Sequence, residues 1–119
     1  MANPKILICD EQEEVRESLK SILADHYELI TVDSPSMAVD ILSHTKDIKV
    51  MLLNILMPLT EGPDDLKEIK KKFPQLRVIM VGGHKSAQIT VPGANGHIVK
   101  PFKPQEILDL LKKHITPLL

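Results

Sequence analysis

Several places in this 119-residue chain join reactive residue types to the abrupt end of an apolar run. Ile6-Leu7-Ile8-Cys9 gives way to Asp10-Glu11, Met51-Leu52-Leu53 to Asn54, Leu76 to Val81 to Gly82, and Ile98-Val99 to Lys100. Adjacent carboxylates concentrate negative charge at the end of the first run. A lysine at the end of another run supplies a compact positive charge, for an anion or for an ion pair with the acidic pair. Asn54 differs in kind, because a neutral amide is a very poor nucleophile where a carboxylate oxygen is a competent one.

The elements that must position these residues follow from hydrophobic spacing. Lys5 to Cys9 reads as a strand buried on both faces. A helix follows, with Val15, Leu19, Ile22 and Leu23 on one face and acidic residues in its first turn, where the helix dipole favours them. Tyr27 to Val32 is a second strand, and Asp33-Ser34-Pro35 starts a helix whose narrow apolar stripe is Met37, Ala38, Ile41 and Leu42. Ile48 to Leu56 is a central strand ended by Met57-Pro58. Gly62-Pro63 opens a helix carrying Leu66, Ile69 and Phe73 inward, and Leu76 to Val81 is a fourth strand closed by Gly82-Gly83. Ile98-Val99 lies in a short fifth strand, and Pro104 begins a terminal helix with Ile107, Leu108, Leu111 and Ile115 inward. Alternating strands and helices imply right-handed crossovers, a parallel sheet and helices on both faces, hence a three-layer α/β sandwich. In such sheets the functional crevice lies outside the carboxyl ends of the strands, where Asp10, Glu11, Asn54, Gly82 and Lys100 all fall.

Composition removes other classes. With 15 basic and 16 acidic residues the net charge is −1, without the positive excess of a nucleic-acid binder. No Trp, one Tyr and two Phe argue against an aromatic stacking platform. Lys67, Lys70, Lys71 and Lys72 read as the solvated face and end of a helix. The single Cys9 reads as core and has no intramolecular disulfide partner. His84 and His97 lack a third ligand for a metal site. No apolar run approaches the roughly 18 residues of a membrane span, and the N-terminus does not resemble a signal peptide. One domain over residues 1–119 in the cytoplasm is the expectation, with neither nucleic acid nor membrane as a direct partner.

The blocks Ile6 to Glu11, Met51 to Pro58 and Ile98 to Phe102 together resemble the hallmark segments of receiver domains in bacterial two-component response regulators. The resemblance covers essentially the whole chain. It implies a five-stranded parallel sheet in the flavodoxin-like order 2-1-3-4-5. It also implies a site in which an acidic pair holds Mg²⁺, an aspartate after the third strand accepts a phosphoryl group from a histidine kinase, and a lysine after the fifth strand pairs with the phosphate. Asp10 and Glu11 match the acidic pair, and Lys100 the lysine.

Asn54 stands at the phosphoacceptor position, Gly82 where a hydroxyl residue binds the phosphate, and His97 where the family has its switch aromatic. The stretch from Gly82 to Gly93 is shorter than the family pattern and contains Pro92, so the fourth helix of the family is expected to be short or missing. These departures imply a pseudo-receiver: a non-enzymatic signalling module that does not accept phosphate at the usual site. It would require no cofactor, bind Mg²⁺ only weakly through Asp10 and Glu11, and pair Lys100 with that acidic pair. Its expected partners are proteins, namely a histidine kinase, an effector domain, a target protein or a second copy of itself. The segment from His84 to His97, with the outer side of the terminal helix, would form a fixed binding surface. The alternatives are a regulator still responsive to phospho-donor or phosphorylated elsewhere and, more remotely, a metal-dependent phosphatase.

Overall fold

The computed structural model describes residues 4–54, 62–82 and 93–115. In chain order the elements are β1 (Lys5–Cys9), α1 (Glu13–Leu23), β2 (Glu28–Val32), α2 (Pro35–His44), β3 (Ile48–Asn54), α3 (Gly62–Lys72), β4 (Arg77–Gly82), β5 (Gly96–Val99) and α4 (Pro104–Ile115). The strands form one sheet in the order β2-β1-β3-β4-β5, and every pairing is parallel. The expected three-layer order is therefore the observed one. Tyr27 and Leu76 fall just outside the strands expected to contain them, and β5 begins two residues before Ile98, at Gly96. Residues 55–61 and 83–92 lie outside the described residues, as do the last two residues expected for the third strand and the expected fourth-helix stub.

Strand alternation explains the layers. Successive side chains leave a strand on opposite faces, so Ile6 and Ile8 join one core while Leu7 and Cys9 join the other. The first core packs β1, β3, β4 and β5 against α1 and α4 through Val15, Leu19, Leu23, Ile107 and Leu111. The second packs the opposite face against α2 and α3 through Ala38, Leu66 and Ile69. Burial on both faces is why β1, β3 and β4 are continuous aliphatic runs rather than alternating ones. At Gly96 a Cβ would lie 3.1 Å from Ile79 Cδ1 and 3.5 Å from Leu110 Cδ1, so glycine there lets α4 close down over β5.

The helix start at Ser34-Pro35 is as expected: Ser34 Oγ accepts from the Met37 backbone N–H at 3.4 Å, with proline in the first turn. Met37 itself does not join the apolar stripe. It is 50% exposed, because the face of α2 that meets the sheet is set by Ala38, with Ile41 and Leu42 alongside.

Lys70 also departs from its expected place on a solvated face. Its ammonium turns back from the last turn of α3, donating to the Leu76 carbonyl at 2.7 Å and to Asn95 Oδ1 at 3.2 Å. Asn95 in turn closes a two-bond ring with Val78: its Oδ1 accepts from Val78 N–H at 2.9 Å, and its N–H donates to the Val78 carbonyl at 2.8 Å. One lysine thus ties α3 to the starts of β4 and β5. Partial burial, and then the charge of Arg77, push its pKa below the ordinary lysine value.

At the end of α4, partial burial and the nearby charges of Arg77 and Lys113 hold the His114 imidazole below its ordinary pKa of 6.5. The unfolded chain therefore binds this proton more readily than the folded one. The contribution of His114 to stability is complete above the ordinary histidine range and is lost as pH falls through it. Chemical unfolding of the wild-type chain and His114→Gln at pH 7.5 and 5.5 should show a small part of the acid destabilisation disappearing in the variant. Equal pH dependence of the two proteins would contradict this assignment.

Candidate functional site

The site is built where parallel strands end together. Register pairs Cys9 with Leu53, Asn54 with Val81, and Gly82 with Val99. One step further along β1 and β5 stand Asp10 and Lys100. Asp10 N–H donates to the Val32 carbonyl at 3.1 Å, and Lys100 N–H to the Gly82 carbonyl at 2.8 Å, so the ladders run right up to the rim. Asp10, Asn54, Gly82 and Lys100 therefore share one edge of the sheet, as their positions at the ends of apolar runs predict.

Asp10 is 1% exposed and Asn54 8%, and they are the buried polar side chains among the described residues. Asn54 Nδ2 donates to Asp10 Oδ2 at 2.9 Å. A carboxylate oxygen accepts and does not donate, so it is the NH₂ end of the amide that faces Asp10. The other carboxylate oxygen, Oδ1, accepts from the Gln12 backbone N–H at 2.8 Å, a turn in which an aspartate bonds the backbone two residues on. Gln12 occupies the N-cap of α1 without a side-chain cap bond, and Asp10 satisfies its N–H instead. Arg16 Nη1, one turn into α1, donates to the Asp10 backbone carbonyl. Asp10 thus joins the ends of β1 and β3 to the start of α1. The apolar spacing of α1 gave no sign of the Arg16 contact.

The other predicted site residues are looser. Glu11 and Lys100 are half-buried, Gly82 closes β4, and the His97 side chain is exposed on β5. The expected ion pair does not form: among the described residues Lys100 makes none with Asp10 or Glu11. Strand order supplies the reason. From β5 to β1 is three strand spacings, about 14 Å, with β3 and β4 between. His84 and Gly83 lie outside the described residues.

Comparison with known proteins decides what this rim belongs to. Residues 6–112 match the response regulator receiver domain family. The chain belongs to that family. The receiver domain is 31% identical over 116 residues to a chemotaxis protein CheY homolog of Campylobacter jejuni, covering 91% of this chain and 89% of that one. It superposes on the N-terminal signal receiver domain of a two-component response regulator from Bacteroides fragilis with a TM-score of 0.88 and 25% identity, over 98% of this chain and 100% of that one. A response regulator receiver domain protein from Clostridium thermocellum gives a TM-score of 0.85 at 28% identity, over 94% of each chain. No helix among the described residues of the receiver domain is long and apolar enough to cross a membrane.

Proposed function

We propose that this receiver domain is a protein-interaction module of a two-component phosphorelay that does not accept a phosphoryl group at position 54. The observation that carries the reading is the amide at the end of β3, buried and donating to Asp10 where the family's mechanism needs a nucleophilic oxygen. Gly82 supplies no hydroxyl to a phosphate, and His97 lies exposed on β5 in the switch position. Coupling of phosphorylation to a distant face requires an element that both sites bias, and these substitutions remove the groups that do so in the family. The module is non-enzymatic and bacterial, and it works in the cytoplasm. It binds a histidine kinase, an effector domain, a target protein or its own copy through a surface that does not respond to phospho-donor.

Incubation with a small acyl phosphate and Mg²⁺, followed by intact-mass measurement, is expected to show no hydroxylamine-labile adduct. A labile adduct would establish the rival reading of a regulator that still takes phosphate, and peptide mapping would say where. Asn54→Asp alone should restore labelling only weakly, because position 82 still lacks its hydroxyl.

A further inference from the structure

Membership of the receiver family raises the question of a divalent cation beside Asp10 and Glu11, and the residues present do not fit one. A hard cation needs several oxygen ligands, anionic ones foremost. Both carboxylate oxygens of Asp10 are already engaged by N–H donors of the chain itself, Gln12 N–H on Oδ1 and Asn54 Nδ2 on Oδ2. The second of these donors occupies the end of β3, where an anionic ligand is required, and turns the positive end of its amide dipole toward the carboxylate. Glu11 remains as one half-buried carboxylate. Among the described residues no three His, Cys, Asp or Glu side chains are grouped to hold a metal ion.

We infer that the Asn54 amide is a built-in replacement for the cation. By donating to the buried Asp10 carboxylate it does what a metal would do there, holding the ends of β1 and β3 together across the rim. The receiver domain therefore keeps this edge closed without divalent metal and gives such metal no place. A carboxylate at position 54 reverses the situation: two buried carboxylates face each other and repel, and a cation becomes the means of relieving them. The inference rests on reading the site as one that has lost phosphoryl transfer. Its test uses no phospho-donor, so the two can fail separately.

The experiment is a Mg²⁺ titration of the wild-type chain followed by amide NMR, including the Asn54 side-chain NH₂ pair, together with thermal unfolding in EDTA and in millimolar Mg²⁺. The wild-type chain is expected to show no saturable shift at residues 10–12 or 54 and the same midpoint in both buffers. Asn54→Asp should unfold on the order of 10 °C lower in EDTA and recover most of that loss with Mg²⁺ or Mn²⁺. Saturable Mg²⁺ binding by the wild-type chain overturns the inference, as does an Asn54→Asp variant indifferent to EDTA. If that variant does not fold in either buffer, the wild-type amide decides. Slow solvent exchange of the Asn54 NH₂ protons, unchanged by Mg²⁺, supports the replacement, and rapid exchange overturns it.

Discussion

Replacing Leu52 with alanine should lower the unfolding free energy by about 3 kcal/mol and the thermal midpoint by on the order of 10–15 °C. Leu52 is 1% exposed in the middle of β3, the strand at the centre of the sheet. Its register partners are Ile8 on β1 and Ile79 on β4, both fully buried, and the three side chains form a row across one face. Above that row lie α1 and α4, through Leu19, Ile107 and Leu111. A hole under two helices joined to a hydrogen-bonded ladder collapses poorly, so the cavity cost adds to the lost transfer free energy. Leu52 is also on the same face as Asn54, two residues on, so loosening the row loosens the support of the site. Urea unfolding followed by circular dichroism measures the loss, with exposed Lys71→Ala as a control that should change stability by less than about 0.5 kcal/mol. A Leu52→Ala loss no larger than the control's would mean that the core repacks freely and that the row is not a rigid support.

Asn95→Ala should cost about 2 kcal/mol, a large effect for one half-buried polar side chain. The side-chain oxygen serves two donors, Val78 N–H and the Lys70 ammonium. Val78 is fully buried, and its N–H has no water to turn to when the amide is removed. Lys70→Met should cost less, because Asn95 keeps its ring with Val78, and the Leu76 carbonyl and Asn95 Oδ1 lose only their ammonium donor. The double variant should fall short of the sum of the two single losses by roughly 0.5–1 kcal/mol, since the residues share one interaction. Strict additivity in a double-mutant cycle would show that the ammonium bond to Asn95 contributes nothing.

Much of this molecule was legible before its structure. The aliphatic runs of β1, β3 and β4, interrupted only by Lys49 in β3, announce strands covered on both faces, and the residue ending each run lands at the predicted rim because parallel strands end side by side. Asp10 and Asn54 were both expected there. Their hydrogen bond was not, since the direction of an amide depends on which atom of a distant residue it meets. Lys70 shows the same limit. It is one of a cluster of lysines on a charged helix, and nothing local separates it from Lys71 and Lys72. The path of the chain sets its ammonium between the Leu76 carbonyl and Asn95, the latter 25 positions on. Lys100 failed in the opposite sense: charge complementarity with Asp10 and Glu11 suggested a pair, while the strand order set the distance. Met37 fits a helical apolar stripe by spacing, yet α2 meets the sheet along a line one residue over.

The layer beneath α1 and α4 is sealed by the first and the last of the described helices. Val81, Ile98 and Ile79 lie under α4, which begins only at Pro104, after every strand of the sheet has been synthesised. A chain growing from its N-terminus can pair β1 with β2, yet β1 has no second neighbour until β3 emerges. Until α4 docks, the central strands carry a bare aliphatic strip, the kind of surface that draws unfinished chains into aggregates. Closure of this layer therefore waits on the final dozen described residues, and a chain ending before Pro104 would leave that aliphatic strip uncovered.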